Sequence, residues 1–443
     1  MPAAFSARRG AFGLVALAVG GLLALLGAQA ASAHADLLST TPRDGAVLAQ
    51  MPAEAVLHFS EAVRPVAEGI VLTGGRMPVK LTAQVAQTDA VVALPALGDG
   101  AYSLSFRMVS DDGHPIAGVV GFTVGVGAVP HAPAGFEVPV ATATAVRVLT
   151  GLQYVGLLVL SGLVLFERLV LRAVSPGTRL ERIVFATACG VAVTSSVLLI
   201  PASAMQVIGL QPWQILPLSA WWPGVLQPVV SSAAVVLTGV AIVTMWRASG
   251  IERRTGLGVV HRVVSRTVPV IGGLMALWAP VLVGHTRSVQ PRALLVIADL
   301  GHLAAGGFWV GGVVGLLLIR LRVGEGGVGL MLAAEAVGRF SRYAVVSVLV
   351  LIVSGCAMGV AIVGRIDALV SGSYGWLLLL KLAVVALALV IAARNHRRLV
   401  PGILAQPSAT GGWRALRRAL AHEAMLLTAV LVITGVLTNL SPR

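Results

Sequence analysis

The apolar positions follow two different rhythms along the chain. Between residues 34 and 127 they alternate with polar ones. Leu57 and Phe59 alternate with Val56, His58 and Ser60; Leu104, Phe106 and Met108 alternate with Ser103, Ser105 and Arg107; Val120, Phe122 and Val124 alternate with smaller residues. Period two predicts strands with one buried face. Turn signals lie between them at Pro42-Arg43-Asp44-Gly45, Thr73-Gly74-Gly75, Gly98-Asp99-Gly100 and Asp111-Asp112-Gly113. About 95 residues at this spacing predict a small all-β sandwich. Met108 sits on the apolar face and is expected in the core, whereas His58 faces the other way and is expected at the surface.

From 145 to 443 the alternation is replaced by long apolar runs. They fall at 146–171, 183–204, 226–246, 268–286, 293–319, 343–364, 375–393 and 421–440. Each is near the roughly 20 residues a membrane span needs. None alternates like a barrel strand, so helices are the expected spanning form. The predicted architecture is an N-terminal all-β sandwich followed by an all-α polytopic membrane bundle of about eight transmembrane helices. The Pro- and Ala-rich stretch 128–144 lacks periodicity and reads as a semi-extended spacer in which His131 is solvated. Residues 1–33 read as a signal peptide: Arg8 and Arg9, an apolar run from Phe12 to Leu26, then Ala31-Ser32-Ala33. An uncleaved anchor is the alternative.

Composition agrees with a membrane protein. The chain is 57% hydrophobic and 11% charged, with a mean hydropathy of +0.91, which excludes a water-soluble globule. A net charge of +14 could suggest nucleic acid. The arginines, however, lie in clusters between the apolar runs, so no nucleic-acid partner is expected. Arg168, Arg172, Arg179 and Arg182 fill the first connection; Arg247, Arg253, Arg254, Arg262 and Arg266 the third; Arg320, Arg322, Arg339 and Arg342 the fifth; and Arg394, Arg397, Arg398, Arg414, Arg417 and Arg418 the seventh. The even connections hold only Arg287, Arg292 and Arg365. The odd connections are therefore expected on the cytoplasmic side of a bacterial cytoplasmic membrane, with the sandwich outside. Gln211–Gln227, with Trp213, Trp221, Trp222 and three prolines, reads as an interfacial loop, a re-entrant lid being the alternative. The two cysteines, Cys189 and Cys356, lie in apolar runs and imply no disulfide framework.

Candidate chemistry begins at His34. Cleavage after Ala33 would leave an N-terminal histidine, whose free amine and imidazole Nδ1 can close a six-membered chelate. The amine, with an ordinary pKa of about 7.7–8.0, gives up its proton to a metal near neutral pH. Asp112-Gly113-His114 follows a predicted strand. Alone, that triplet reads as a turn cap and a solvated loop residue. Joined to His34, it completes three nitrogens and one oxygen, a set that suits Cu(II).

The segments H-A-D-L-L-S-T-T-P-R-D-G-A-V-L, V-L-H-F-S-E-A-V and D-D-G-H-P-I-A-G-V-V-G-F-T-V resemble the CopC family of periplasmic copper-binding proteins. The resemblance implies an Ig-like or cupredoxin-like sandwich with a Cu(II) site at His34, Asp112 and His114. The Met-rich Cu(I) site of some CopC members is not expected, because Met51, Met77 and Met108 are scattered.

Ionisable residues inside spans are functional candidates. His285 ends the fourth run, and Asp299 and His302 lie in the fifth. Their i, i+3 spacing puts Asp299 and His302 on one face with Trp309, and His302 roughly 15 Å along the helix from Arg292. Gly306, Gly307, Gly311 and Gly312 are expected to let helices approach closely. Mutual neutralisation of Asp299 and Lys381, with a structural His302, is the competing reading. D-L-G-H-L-A-A-G-G-F-W-V-G-G, R-F-S-R-Y-A, Y-G-W-L-L-L-L-K and the final E-A-M-L-L-T-A-V-L-V-I-T-G-V-L-T resemble the CopD family of multi-span copper-resistance and uptake proteins. His285 and His302 are expected to be metal ligands from their chemistry and their position in the spans. Cys189, Cys356 and Met358 could be soft Cu(I) ligands; their positions favour packing, and the two cysteines fall in opposite halves of the membrane.

The expectation is a non-enzymatic copper carrier. It would capture Cu(II) outside and pass copper, as Cu(I) or Cu(II), through the lipid-embedded bundle, with copper chaperones on either side as candidate partners. No G-x-x-x-x-G-K-[ST] occurs, so gradients or copper sinks must drive it. The alternatives are a buffering module on an inert anchor, and a haem-bearing reductase with His285 and His302 as axial ligands.

Overall fold

The computed structural model describes residues 37–74, 77–110, 115–125, 138–171, 178–215, 223–249, 259–283, 291–323, 327–363 and 367–438. The predicted site residues His34, Asp112, His114 and His285 lie outside the described residues, as do Trp221 and Trp222.

The alternating segments form strands: β1 Leu37–Thr41, β2 Ala46–Leu48, β3 Glu54–Phe59, β4 Val63–Thr73, β5 Val79–Leu81, β6 Ala83–Ala86, β7 Asp89–Ala93, β8 Gly100–Ser110 and β9 Pro115–Val124. They make two sheets, ordered β1-β3-β7-β6 and β2-β9-β8-β4-β5. Leu57 and Phe59 of the first sheet meet Leu104, Phe106 and Met108 of the second in one core. Phe59 and Phe106 pack edge to face with centroids 5.8 Å apart. Met108 is fully buried, as its phase predicts. His58 lies on the opposite face, where its ring bonds the Asp89 carboxylate.

The other face of β8 departs from the prediction. Ser103, Ser105, Arg107 and Val109 alternate as a solvent face should, yet all are buried. The reason is tertiary: this face docks on the membrane helices. Arg107 Nη1 donates to Val207 O at 2.8 Å, and Val66, Val109 and Val207 form a small apolar cluster. Burial lowers the Arg107 pKa from its ordinary value, but arginine starts so far above neutrality that the guanidinium stays charged. Hydrogen bonds to charged groups contribute about 1.5–3 kcal/mol. Arg107→Ala is therefore expected to loosen the sandwich from the bundle and leave the sandwich core intact. Faster amide exchange at Val207–Gly209 with unchanged exchange in β3 would show it; unchanged exchange at both would reject the docking role.

Eight helices among the described residues are long and apolar enough to cross a membrane. They are α1 Val140–Leu165, α2 Arg179–Ile208, α3 Pro223–Ser249, α4 Val259–Trp278, α5 Arg292–Val323, α6 Gly327–Val363, α7 Ser373–Arg394 and α8 Thr410–Leu437. A π-helical turn, Phe166–Leu171, extends α1, and another, Asn395–Leu399, extends α7 into Val400–Ala405. The protein is a multi-pass membrane protein carrying a β-sandwich.

Several helices outrun the apolar runs. Val140–Thr144, read as the end of the spacer, is already helical, held by Thr142 Oγ1 donating to Leu210 O at 2.5 Å. The arginine clusters before the sixth and eighth runs lie inside α6 and α8 rather than in loops. Arginine, alanine and leucine favour helix. Glu335 and Arg339, at i, i+4, add an ion pair at 3.4 Å, and Gly338 packs beside Leu404 of the α7 extension.

Glycines set the bundle's spacing. A Cβ at Gly162 of α1 would fall 1.9 Å from Gly307 O of α5, and one at Gly311 would fall 2.1 Å from Gly162 C. The α1 backbone also meets α8 where Gly151 faces Gly435. Small residues permit this approach, which supplies the packing that lipid does not drive. At the end far from the sandwich, Arg247 bonds Glu167 at 2.5 Å and stacks over the Phe185 ring at 3.7 Å.

Candidate functional site: a polar cavity in the sandwich-side half of the bundle

A cavity of about 760 Å³ opens in the half of the bundle that faces the sandwich. Its walls come from α1, α2, α3 and α5 to α8, and from Pro115 of β9. Most of the lining is aliphatic. Polar groups reach it from several helices, among them Gln153 and Tyr154 of α1, Ser196 of α2, Asp299 and His302 of α5, and Lys381 of α7. Apolar walls with a few convergent polar groups are the usual make-up of a binding site.

The spacing argument places Asp299, His302 and Trp309 on one helix face, and all three line the cavity. Trp278 Nε1 donates to Leu300 O at 2.9 Å, tying α4 to α5 at this level. Asp299 and Lys381 are close enough for their charges to act on one another. Lys381 also acts on His302, and Asp299 on Tyr154. Asp299 and Lys381 thus line the cavity beside the histidine and are not shut in a packed core.

Hydrogen bonding determines the state of His302. Its Nδ1 lies 2.9 Å from Ser354 Oγ of α6. That hydroxyl donates its single proton to Val350 O at 2.6 Å. With Ser354 donating to Val350 O, its oxygen can accept from His302 Nδ1–H, the tautomer in which Nε2 is the nitrogen able to bind a metal. A histidine anchored through one ring nitrogen and bare at the other is the usual form of a metal ligand.

Cys356 and Met358 line the same cavity, while Cys189 does not and is packed in the helix core. Among the described residues, no three His, Cys, Asp or Glu side chains gather closely enough to hold a metal ion. The cavity thus presents one imidazole, an acidic and a basic side chain, and soft sulfur atoms on its wall.

Two features were missed by the sequence reading. Ser354, which fixes the His302 tautomer, has no signal in an apolar run. Glu423 does have one: it is an ionisable residue within the eighth run, the kind of position that marks function in a membrane.

The fold and cavity define a multi-pass membrane protein with a substrate-sized chamber beneath a β-sandwich. Residues 37–125 match the CopC domain family, and residues 334–437 match copper resistance protein D. The chain is 26% identical over 436 residues to the copper transport protein CutJ of Bacillus subtilis (strain 168), covering 92% of this chain and 74% of that one. It is 33% identical over 125 residues to copper resistance protein C of Xanthomonas campestris pv. juglandis, covering 26% of this chain and 98% of that one. The crystal structure of CopC from Methylosinus trichosporium OB3b is 26% identical, covering 22% of this chain and 97% of that one, with a TM-score of 0.19. The chain belongs to the copper-resistance family and joins its CopC and CopD parts in one polypeptide.

Proposed function

We propose that the protein captures Cu(II) outside the cytoplasmic membrane and passes copper into the bundle for import. In this reading signal-peptide removal exposes His34, which binds Cu(II) together with Asp112 and His114. The nitrogen-rich donor set suits Cu(II). The observation that carries the reading is the place of Pro115. This residue directly follows His114 in the chain and forms part of the cavity wall that holds His302. The CopC-like module therefore reaches the chamber at the residue next in sequence to an expected copper ligand. The arginine-rich ends far from the sandwich are then cytoplasmic. The protein acts as a carrier, without catalysis. A buffering module on an inert anchor would need neither a chamber nor a bare imidazole inside it.

The test is cellular copper at limiting external copper. Deleting the gene, or changing His114 to alanine in it, is expected to lower copper content. Equal content with and without the gene would reject import.

A further inference from the structure

Beyond the cavity floor the bundle holds a carboxylate that the copper reading leaves unused. Glu423 of α8 is 2% exposed. Its Oε1 accepts from Trp309 Nε1 at 2.5 Å, and its Oε2 accepts from Asn395 Nδ2 at 3.2 Å. Both donors are neutral. Nearby charges point elsewhere. On the π-helical turn and α7, Arg394, His396, Arg397 and Arg398 are exposed; on α8 itself, so are Arg417, Arg418 and His422. His396 Nδ1 is engaged by Ser341 Oγ of α6 at 2.7 Å. The α1 sequence has no ionisable side chain between Tyr154 and Glu167, α5 none between His302 and Arg320, and α7 none between Lys381 and Arg394. Residues 400–405 carry none either. An ionised carboxylate buried against two neutral donors is costly.

Asn395 completes the argument. It is 7% exposed, and its Oδ1 has no hydrogen-bond partner. A buried amide oxygen left bare carries its own penalty. Were Glu423 protonated, its O–H would need an acceptor, and a half-turn of the Asn395 amide supplies Oδ1. Trp309 can donate to the other carboxyl oxygen in either state. Asn395 also sits in a π-helical turn, a geometry that collects at functional sites. Trp309 borders the cavity on one side of the carboxylate, and Asn395 leads to the basic end on the other.

We propose that Glu423, held between Trp309 and Asn395, is a proton-binding site through which the bundle couples proton movement to the cation it carries. A hydronium ion in the cavity loses a proton, its O–H bond breaking to leave water, and that proton forms the O–H bond on Glu423 Oε2. The bond breaks when the proton leaves toward the far end, restoring the carboxylate; no electron moves. The coupling half rests on the copper-carrier reading, whereas the protonation half stands alone.

The full chain in liposomes tests both halves. Infrared difference spectra between acidic and alkaline buffer should contain the carbonyl band of a neutral carboxylic acid that is lost in Glu423→Gln. Asn395→Leu should keep the band and shift it, because the acid loses its hydrogen-bond partner. If Glu423→Gln changes nothing in this spectrum, the proton site is overturned. For coupling, copper added on the sandwich side should change the signal of a pH-sensitive dye inside wild-type vesicles and not inside Glu423→Gln vesicles. Copper entry with no dye response in the wild type overturns the coupling. Absence of copper entry overturns the carrier reading, and the band alone then decides the proton site.

Discussion

Replacing His302 with alanine is expected to abolish copper uptake at limiting copper while the sandwich still binds Cu(II). The expectation follows from the atoms around the ring. Ser354 Oγ is placed to donate to Val350 O and to accept from His302 Nδ1–H, which turns Nε2 into the ligand nitrogen. Alanine deletes the imidazole nitrogen that stands beside Asp299 and Lys381 in the cavity. Asparagine or glutamine would restore polarity without an equivalent ligand, and should fail as alanine does. Ser354→Ala should be milder. It keeps the imidazole but frees its tautomer, and loss of such supporting partners typically costs about 10–100-fold in metal affinity. The order of effects is the test, read as cell-associated copper against external copper. If Ser354→Ala is as silent as wild type, the tautomer is set by something else. If His302→Ala leaves uptake intact while His34→Ala abolishes copper protection, the bundle is only an anchor.

The parts legible in the sequence were those decided by local pattern. Eight apolar runs became eight helices long and apolar enough to cross a membrane, because the bilayer thickness sets the run length a span needs. Period-two alternation placed Leu57, Phe59, Leu104, Phe106 and Met108 in one core. The i, i+3 and i+7 relations carried Asp299, His302 and Trp309 to one wall. The failures were decided by packing between distant segments. The second face of β8 has the composition of a wet surface, yet Arg107 and Val109 are buried where they meet the end of α2. The arginine clusters at the starts of α6 and α8 mark a membrane side, but their residues are also good helix formers, so charge alone does not end a helix. Glu423 was legible by rule, but its two partners were not. Trp309 lies 114 residues away in sequence, and Asn395 follows a run with no polar signal.

The glycines of α5 lead to the second large effect. In sequence, Gly306 and Gly311 are equivalent members of one small-residue stripe. In the bundle they are not. A Cβ at Gly306 would meet only Leu158 Cδ2 and Leu351 Cδ2, each at 3.8 Å, which is ordinary contact. A Cβ at Gly311 would lie 2.1 Å from Gly162 C, 2.3 Å from Gly162 Cα and 2.5 Å from Leu163 N. All three are backbone atoms, so no rotamer change relieves the clash and α1 must part from α5. Overpacking a tight core typically costs about 1–3 kcal/mol, occasionally more, and here the obstacle is a helix axis instead of a flexible side chain. Gly311→Ala is therefore expected to lower the unfolding temperature of the detergent-purified protein clearly, and Gly311→Val to keep it from accumulating in the membrane. Gly306→Ala should unfold with the wild type. The consequence reaches function, because α1 and α5 both wall the cavity, with Tyr154 on one and His302 on the other. A surviving Gly311→Ala protein should bind Cu(II) on its sandwich normally and carry less copper inward. Equal stability of the Gly306 and Gly311 variants would mean that α1 and α5 do not cross on bare backbone, and the chamber they wall would have to be drawn differently.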